Sequence, residues 1–357
     1  MDDFLIIGGG IAGVSAGARL AALGRVTLLE AESALGYHAS GRSAALYERQ
    51  YGLPPVVALA RASGDELGQA DGGVLSPRGL MFVGGPGDEA QHEQEVAAFG
   101  LTRLSIAEAQ SILPVLGAGK VTLAAYHDDA YDIDTDRLLQ SYARALRRNG
   151  RIVTGAPVTG IQRSAAGWEV TAAGQTYAAK TLVNAAGAWA DTLASLAGIA
   201  PLGLAPLRRS IARVAAPPGQ DVSRWPMTIG AGERWYMKPD AGALLISPAD
   251  AEPAPPHDAW ADDMVLATGI ARWEAHVTTP VTRMIANWAG LRTFAPDRNL
   301  VIGPDPSDPT FLWCAGQGGY GFQTAPAASR FLADLVAGRS PEIDSATQRA
   351  ILPARFA

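Results

Sequence analysis

Three glycines near the N-terminus stand at a spacing that can hold a pyrophosphate. The motif Gly8-x-Gly10-x-x-Gly13 directly follows the apolar run Phe4–Ile7, and the acidic Glu30 ends the next apolar run. Glycines let a backbone turn tightly and approach an anion, the following helix offers free N–H groups, and the carboxylate can accept hydrogen bonds from ribose hydroxyls. The motif predicts a dinucleotide cofactor, and the alternative is a glycine-rich turn between packed elements.

Two other segments match catalytic motifs by spacing alone. The segment Gly13–Gly17 has the G-x-S-x-G spacing of a hydrolase nucleophile, but Ser15 falls inside the expected first helix rather than on the sharp turn that this chemistry needs. The segment Gly316–Gly321 repeats the dinucleotide spacing, but too little chain follows it for a second βαβ unit. We expect a glycine-rich bend there that approaches a ligand at a helix start.

Two arginines in apolar, strand-like surroundings are candidates for binding a substrate carboxylate. Arg209 and Arg292 each follow a leucine or another arginine within such a run. A guanidinium suits this role because its planar fork matches both carboxylate oxygens. The alternative for each is an ordinary salt bridge. His38 invites a general-base reading, but we favour a histidine that packs in the cofactor loop.

The elements that must position these residues alternate between helix and strand at both ends of the chain. Phe4–Ile7 is typical of a strand buried in a parallel sheet, and a helix over residues 11–23 and a strand over 25–30 complete a βαβ start. The alternation of strand and helix returns near residues 180 and 310, whereas residues 203–250 are rich in strands and turns. We therefore expect a dinucleotide-type domain interrupted twice by a sheet-rich domain.

Composition excludes several classes of protein. The chain has 357 residues, enough for about two domains, and its net charge of −6 gives no broad basic surface for nucleic acid. The single cysteine, Cys314, excludes an intrachain disulfide and a cysteine-based zinc site, and the histidine spacings indicate no metal site. We expect no transmembrane segment and, because Asp2 and Asp3 precede the first apolar run, no signal peptide and a cytoplasmic location.

Beyond Glu30, four segments occur in the order found in a known family. They are Gly36–Ala45, Val183–Trp189, Trp288–Arg292 and Gln317–Thr324. Together they resemble the FAD-dependent D-amino acid oxidase (DAO) superfamily over essentially the whole chain, and within it most closely the bacterial D-arginine dehydrogenases. Several motifs of this length in one order are far more specific than the glycine motif alone.

The resemblance implies an α/β fold with FAD as cofactor. A Rossmann-type FAD-binding domain of the glutathione-reductase-2 type would be interrupted by an α+β substrate domain with a mainly antiparallel sheet. We expect the FAD-binding domain in residues 1–45, 145–205 and 285–357, and the substrate-binding domain in 46–144 and 206–284. A helix N-terminus beside the isoalloxazine ring would stabilise negative charge on reduced flavin.

The implied FAD site is assembled from distant segments. The glycine motif would hold the pyrophosphate, Glu30 the ribose, and Val158 would lie on the adenine side. The full set is Gly8, Gly10, Ile11, Ala12, Gly13, Glu30, Ala31, His38, Ser40, Arg42, Ser43, Ala44, Val158, Ala186, Gly187, Trp189, Gly290, Gly318, Gly319, Tyr320, Gly321, Phe322, Gln323 and Thr324.

The implied substrate site would bind a 2-amino acid by both ends. Arg209, Arg292 and Tyr236 match the family's carboxylate-binding residues, and the Gly319 carbonyl matches the acceptor for the α-amine. Three further residues match apolar walls of the pocket, although each is equally compatible with plain core. These are Tyr51, Met227 and Ile229.

Three departures separate this chain from the arginine-specific relatives. Leu80 stands where they carry a glutamate that binds the cationic end of the substrate, and Leu46 stands where they carry a histidine. Glu48 replaces a neutral hydroxyl residue, and Arg49 could pair with it at the surface. The departures favour an apolar substrate side chain unless Glu48 turns inward.

The resemblance therefore predicts oxidative deamination of D-amino acids to 2-oxo acids and ammonia, by hydride transfer to flavin N5, with a preference for apolar side chains. The electron acceptor would be a quinone, a dye or oxygen. The alternatives are a secondary-amine oxidase acting on sarcosine or an N-alkyl amino acid, a non-catalytic flavin-binding subunit, and an NAD-linked dehydrogenase.

Overall fold

The computed structural model describes the whole chain, residues 1–357. Its helices are α1 (Ile11–Leu20), α2 (Pro54–Gln69), α3 (Glu89–Phe99), α4 (Ile106–Ile112), α5 (Thr135–Leu146), α6 (Ala190–Leu196), α7 (Asp263–Glu274), α8 (Gly321–Ala337) and α9 (Ser345–Ile351). Its strands are β1 (Asp2–Ile7), β2 (Val26–Leu29), β3 (Leu46–Glu48), β4 (Leu75–Pro77), β5 (Leu80–Gly84), β6 (Thr102–Leu104), β7 (Leu123–His127), β8 (Ala130–Ile133), β9 (Gly150–Val153), β10 (Val158–Ser164), β11 (Gly167–Ala172), β12 (Gln175–Asn184), β13 (Ala205–Ala215), β14 (Met227–Gly230), β15 (Tyr236–Asp240), β16 (Ala243–Ser247), β17 (Glu252–Pro253), β18 (Met284–Phe294), β19 (Val301–Pro304) and β20 (Phe311–Ala315). None of the helices is both long and apolar enough to cross a membrane.

The first sheet is built on five parallel strands in the order β9-β2-β1-β12-β20. β19 adds an antiparallel strand beyond β20, and β10 and β11 extend the first half of β12 as an antiparallel meander. β2, the next strand in the chain, lies on one side of β1, and β12 lies on the other side of β1. Ligands of open α/β sheets bind at the carboxyl ends of strands where the strand order reverses, which here is the end of β1.

Alternation along β1 explains why helices cover both faces of this sheet. Phe4 and Ile6 point into a core shared with α1, α2, α5 and α8. Leu5 and Ile7 point into a second core, which includes the β10–β12 meander and α6. A strand buried on both faces has a continuous apolar sequence rather than an alternating one, as the run at residues 4–7 has.

The second sheet runs in the order β18-β13-β16-β15-β14-β5-β7-β6, with the short β17 beside the start of β13. Its pairs are antiparallel except β14 with β5. One face packs against α4 and α7 through Met81, Trp235 and neighbouring apolar side chains. The other face carries Leu80 and Tyr236 towards the first unit. A third, three-stranded sheet has the order β3-β8-β4.

The expected fold class is confirmed, because a parallel, doubly wound sheet is joined to a mainly antiparallel one. One detail differs from the expectations. α1 ends at Leu20 rather than at residue 23, and residues 21–23 form a turn before Gly24. The Gly24 N–H donates to the Leu20 carbonyl oxygen (3.0 Å), and a Cβ on Gly24 would lie 2.6 Å from the Asp3 carboxylate.

Two groups of elements lie across the domain boundaries that the sequence predicted. β18 pairs along its length with β13 and so belongs to the second sheet, although 285–357 was expected in the FAD-binding domain. α2 and α5 pack against α1 and α8 of the first unit, although residues 46–144 were expected in the substrate domain. Packing assigns these helices to the first unit because their apolar faces complete its core.

Glu66 of α2 joins the helices of the first unit. The Tyr142 hydroxyl of α5 donates to Glu66 Oε1 (2.7 Å), Arg330 Nη1 of α8 donates to Oε2 (2.7 Å), and Arg19 of α1 donates to both oxygens. Burial alone would raise the pKa of Glu66, but these donors outweigh it and hold the pKa below its ordinary value. The ionised carboxylate therefore stabilises the folded state.

We predict that Glu66→Gln lowers the free energy of unfolding by about 2 kcal/mol at pH 7, because the amide keeps the shape but loses charge-assisted hydrogen bonds. The pKa of Glu66 is lowered in the folded state. Its contribution is therefore complete above the unfolded value near 4.3 and is lost as the pH falls through the folded value. Urea unfolding of both proteins at pH 7 and near pH 3.5 measures this. A difference that does not shrink at the lower pH would contradict it.

Candidate active site

The glycine motif lies at the carboxyl end of β1, where the first sheet reverses its strand order. Gly8 has φ +112°, and a Cβ there would lie 2.2 Å from the Ala185 carbonyl oxygen. A Cβ on Gly13 would lie 1.9 Å from the Gly8 carbonyl oxygen. Larger side chains would therefore separate β1, α1 and β12, which must stay close for the first turn of α1 to face the cavity.

The N-terminus of α1 is open towards that cavity. No side chain caps it at Gly10, and only the Ile11 N–H is used, donating to Ser40 Oγ at 3.0 Å. Gly10, Ile11 and Ala12 line the cavity. Free N–H groups and the positive end of the helix dipole suit a pyrophosphate.

Glu30 shapes the glycine loop as well as facing the cavity. Its Oε2 accepts a hydrogen bond from the Gly9 N–H (2.6 Å), and its Oε1 accepts one from the Glu32 N–H (2.8 Å). A carboxylate has about four lone-pair positions, so two remain for ribose hydroxyls. The sequence predicted the ribose role but not the bond to Gly9.

Two adjoining cavities form one long site. The first includes the substrate candidates and the second the adenine-side candidates, and both are lined by Gly10, Ser40, Arg42, Gly187 and Gly290. The predicted residues in the second cavity are Gly8, Gly10, Glu30, Ala31, His38, Ser40, Arg42, Val158, Ala186, Gly187, Trp189 and Gly290. An elongated dinucleotide fits such a continuous cleft.

His38 lies in the second cavity, on the adenine side. Its ring packs in a tilted geometry against that of Trp189 (centroids 4.8 Å apart), and its Nε2 lies 2.9 Å from Glu32 Oε1. The arginine and tyrosine candidates lie in the other cavity. This position matches the cofactor-loop packing that we favoured for His38 over a general base.

The segment before α8 forms the far end of the first cavity. Gly318 has φ +52°, and a Cβ there would lie 2.4 Å from the Phe294 ring. The Gly318 N–H donates to the Thr293 carbonyl oxygen (2.9 Å), which joins this segment to β18. Ser43, Ala44, Gly319, Gly321, Phe322 and Gln323 line the cavity as expected.

Three residues predicted to bind the cofactor do not line either cavity. Gly13 provides the close contact between α1 and β1 described above and is absent from both cavity walls. Thr324 is fully buried, and its hydroxyl donates to the Tyr320 carbonyl oxygen (2.8 Å) inside α8. The Tyr320 ring packs 5.3 Å from that of Tyr51. These residues support the walls rather than form them.

Strand register brings Arg209 and Arg292 onto one face of the second sheet. Arg209 pairs with Gly290 and Leu207 pairs with Arg292, so the two arginines are diagonal neighbours across β13 and β18. Tyr236 enters the same cavity from β15. A Cβ on Gly319 would lie 3.0 Å from Arg292 Nη1, so the glycine backbone packs directly on this guanidinium.

The two guanidinium groups have no carboxylate partner. Neither takes part in an ion pair within 4 Å, whereas their neighbours Arg208 and Arg213 do. Arg209 donates only from Nε, to the Asp250 carbonyl oxygen (2.6 Å), and the buried Tyr236 hydroxyl has no hydrogen-bond partner. Unpaired buried polar groups are costly, so this cluster indicates a missing anionic ligand.

The electrostatics of the cluster agree with that interpretation. Burial, and after it the charge of Arg292, lowers the pKa of Arg209. Burial would also lower the pKa of Arg292, but the hydroxyls of Tyr236, Tyr51 and Tyr320 outweigh it and raise that pKa. Both side chains remain cationic at neutral pH, and a bound carboxylate would relieve their mutual repulsion.

The rest of the first cavity is largely apolar. Leu80, Met227 and Ile229 are almost fully buried and lie on the same sheet face as Tyr236, because Met227 pairs with Leu80 and Ile229 with Tyr236. Leu46 and Tyr51 complete the predicted wall. All the predicted pocket residues therefore line one cavity.

Glu48 lies at the border of this cavity, and its carboxylate points away from the apolar wall. It is 3% exposed, its Oε1 accepts from the Gln50 N–H (2.8 Å), and its Oε2 lies 3.0 Å from His127 Nε2. The expected pairing with Arg49 is wrong, because Arg49 pairs with Asp129. β3 sits between β8 and the polar pocket around Gln50, and this placement turns the carboxylate towards His127.

The sequence reasoning missed several residues of the cavity wall. Glu233 follows Gly232 on the turn between β14 and β15 with φ +49°, and its Oε2 lies 3.4 Å from the Tyr51 hydroxyl. The only available signal was its place between two predicted wall residues, Ile229 and Tyr236. The other missed residues are Ala39, Ala45, Phe99, Ala185, Ile211, Leu291, Thr293 and Gln317.

Comparison with known proteins identifies the family. The DAO family model, described as FAD dependent oxidoreductase, matches residues 3–335. The chain belongs to this family. FAD is its cofactor, and the open N-terminus of α1, Glu30 and the elongated cleft are residues and shapes that suit FAD. The chain is thus an FAD-dependent oxidoreductase.

Several relatives act on amines or amino acids by name. A glycine oxidase of Bacillus licheniformis is 24% identical over 370 residues, which cover 94% of this chain and 93% of that protein. The human mitochondrial dimethylglycine dehydrogenase is 25% identical over 96% of this chain and 43% of its own length. A D-amino acid dehydrogenase of Xanthobacter autotrophicus is 44% identical, but over only 59 residues, which are 16% of this chain and 14% of that protein. The narrower resemblance to D-arginine dehydrogenases is not confirmed.

A solved structure supports the fold. The L-α-glycerophosphate oxidase of Mycoplasma pneumoniae, with FAD bound, superposes with a TM-score of 0.82 at 19% identity, covering 96% of each chain. At this identity the match shows the architecture and leaves the substrate open.

We predict that Glu30→Ala raises the dissociation constant of FAD about tenfold, because the ribose loses an acceptor and the Gly9 N–H loses the bond that shapes the loop. Fluorescence titration of the apoprotein with FAD measures this constant. The order of preference among amino-acid substrates should not change, since Glu30 lies in the other cavity. An unchanged dissociation constant would contradict the role of Glu30.

Proposed function

We propose that this protein oxidises amino acids, binding the substrate carboxylate between Arg209, Arg292 and the Tyr236 hydroxyl. The observation that carries the proposal is the pair of guanidinium groups without a carboxylate partner, beside a buried hydroxyl without a hydrogen-bond partner, in one cavity. Arginine forks bind carboxylates in bidentate geometry, and a non-catalytic flavin subunit would not need such a cluster.

The chain's own groups bind and orient the substrate. With the substrate carboxylate on Arg292 and Arg209, the Gly319 carbonyl would accept from the neutral α-amine, as the family resemblance implies; the Gly319 backbone packs directly on Arg292. When bound, FAD supplies the acceptor for the hydride that leaves the substrate Cα. The imino acid then hydrolyses to a 2-oxo acid and ammonia, and a quinone, a dye or oxygen reoxidises the cofactor. Positioning and preorganised charge are the contributions of the protein.

Tyr51 adds a neutral hydroxyl to the cavity. Burial, and after it the charge of Glu233, raises the pKa of Tyr51 to about 12. The phenol therefore stays protonated over the working pH range and can donate to Glu233 or to the substrate. It adds no negative charge that would compete with the substrate carboxylate for the arginines.

The wall of the cavity favours an apolar substrate side chain, and we propose D-amino acids as the substrates. Leu80, Met227 and Ile229 offer no partner to a guanidinium or ammonium, and an unpaired buried cation costs several kcal/mol. An apolar side chain gains about 25 cal/mol per Å² of buried area. The carboxylate of Glu48, which could have bound a cation, accepts a hydrogen bond from the Gln50 N–H and lies beside His127, away from the apolar wall.

A secondary amine is the second candidate substrate. Sarcosine or another N-alkyl amino acid would use the same arginines, and its alkyl group would occupy the apolar wall. The name of one relative agrees with this candidate, because dimethylglycine is an N-alkyl amino acid. Glycine oxidase is named for a primary amine and does not separate the two candidates.

Anaerobic bleaching of the flavin absorbance separates these candidates. The holoenzyme is mixed without oxygen with D-leucine, L-leucine, glycine and sarcosine in turn. Rapid bleaching by D-leucine, with little from sarcosine and L-leucine, supports D-amino acid oxidation. Faster bleaching by sarcosine supports the second candidate, and no bleaching by any amino acid or N-alkyl amino acid refutes the proposal.

We predict that Arg292→Ala and Arg209→Ala retain FAD but raise KM for the best amino acid by at least tenfold, since losing one partner of a buried charge pair costs about 2–5 kcal/mol. Steady-state kinetics and the flavin spectrum check both parts. Arg213→Ala is the matched control, because Arg213 lies on the same strand but pairs with Asp240. A wild-type kcat/KM in either cavity variant would refute its role.

We predict that kcat/KM for D-leucine exceeds that for D-arginine in the wild type, and that Leu80→Glu reverses or narrows the ratio. The added carboxylate would face the cavity and partner the substrate cation. Kinetics with both substrates and both proteins give the ratio. A wild-type ratio below one would contradict the apolar preference, and a variant that gains no D-arginine activity would contradict the placing of position 80 against the substrate.

A further inference from the structure

A segment of the second unit crosses over the cofactor cleft. Residues 254–261, which we call the strap, connect β17 to α7 without regular secondary structure. Its first end is fixed by the Ala254 N–H donating to the Pro206 carbonyl oxygen (3.1 Å), and its other end by the Asp262 side chain, which caps α7. His257 and Ala259 of the strap line the cofactor cavity.

The middle of the strap is held mainly by the Arg42 side chain. Its Nη1 donates to the carbonyl oxygens of Ala259 (2.8 Å) and Ala289 (2.9 Å), and its Nη2 donates to the Asp258 carboxylate. The Trp288 indole N–H donates to the Arg42 carbonyl oxygen at 3.2 Å. Arg42 therefore joins three segments: the loop after β2, the strap and β18.

An apolar cluster lies beneath this contact. Ala259 of the strap packs with Ala188, Ala289 and Leu291. Ala188 belongs to the turn after β12, so the cluster includes residues on either side of the cleft. Small side chains let the strap backbone approach the cleft closely. Because these side chains bury little apolar area, the hydrogen bonds of Arg42 must contribute much of the free energy that keeps the strap in place.

We propose that Arg42 is a latch that keeps the strap closed over FAD, with Asp258 as its counter-ion on the strap. The guanidinium is committed to protein acceptors, so it positions the strap rather than binding the cofactor itself. Because Ala289 lies three residues before Arg292 on the same strand, the latch also fixes β18 against the cofactor loop. The inference requires only that FAD binds, and it does not depend on the proposed substrate.

The charge environment of Asp258 is consistent with this pairing. Hydrogen bonding from Arg42 lowers the pKa of Asp258, and the nearby His38 and Tyr37 add to the effect. The Tyr37 hydroxyl lies 3.4 Å from the same carboxylate, and His38 Nδ1 lies 3.8 Å from it. The strap is thus held from the cofactor loop by several groups at one point.

The test measures FAD release and strap opening in the holoenzyme. The variants are Arg42→Met, Arg42→Lys and Asp258→Asn. Asp263→Asn is the matched control, because it removes the same charge nearby from an exposed residue of α7 that forms no ion pair. Free-flavin fluorescence after dilution gives the release rate, and amide hydrogen exchange of a peptide covering 254–262 reports strap opening.

We expect release to accelerate about tenfold or more in Arg42→Met, which loses charge-assisted bonds to two carbonyls. Arg42→Lys should be intermediate, because an ammonium can replace only part of the fork. Asp258 is 57% exposed in its side chain, so Asp258→Asn should accelerate release only about two- to fivefold. Exchange in the strap should rise in the same order, and Asp263→Asn should match the wild type in both measurements.

Two results would overturn the proposal. If Arg42→Met releases FAD faster while exchange in the strap stays at the wild-type rate, Arg42 contacts the cofactor directly and is not a latch. If Asp258→Asn leaves both release and exchange unchanged, the strap does not depend on this contact. Should Arg42→Met fail to fold, Asp258→Asn and Arg42→Lys decide the question by the same two measurements.

Discussion

Two like charges held together without a counter-ion are the feature on which the rest of the active site depends. Arg209 and Arg292 are diagonal neighbours on one sheet face, and neither has a carboxylate within 4 Å. Such an arrangement raises the free energy of the ligand-free protein, because burial and mutual repulsion both disfavour it. The sheets around the pair must therefore be stable enough to hold it open for a ligand.

The long pairing of β13 with β18 provides that stability. The two strands pair from Ala205 with Phe294 to Val214 with Met284, which fixes the diagonal of the arginines by backbone hydrogen bonds. Gly290 stands opposite Arg209, and a Cβ there would lie 3.5 Å from Arg42 Cβ, so this glycine lets the cofactor loop pack closely on β18. Period-two alternation then places Ile211 and Tyr236 on the same face, and a slip of one residue would turn all of these side chains away from the cavity.

The sequence predicted best what depends on neighbouring residues. The strand, glycine motif, helix and acidic residue at the start of the chain form one local unit, and the structure has them as expected apart from the end of α1. Arg209 and Arg292 were predicted from their apolar, strand-like surroundings and from the family resemblance, and the structure places both in one cavity. The sequence did not reveal contacts between residues that are far apart in the chain. The hydrogen bond of Arg42 to Ala259 and the contact of Glu48 with His127 leave no recognisable pattern in the residues around them. Glu233 sits on a positive-φ turn that carries no motif.

The disposition of the two carboxylates near the cavity explains why the arginines stay unpaired. Glu48 is engaged by the Gln50 N–H and His127, and Glu233 lies beside the Tyr51 hydroxyl. If either carboxylate reached Arg209 or Arg292, the ligand-free protein would gain a buried ion pair, and a substrate carboxylate would have to displace it. By occupying both acids elsewhere, the fold keeps the cationic pair available. With the proposed carboxylate site, the same arrangement would favour substrates with one negative charge, because a second carboxylate on the side chain would find no further cation on the wall that includes Leu80, Met227 and Glu233.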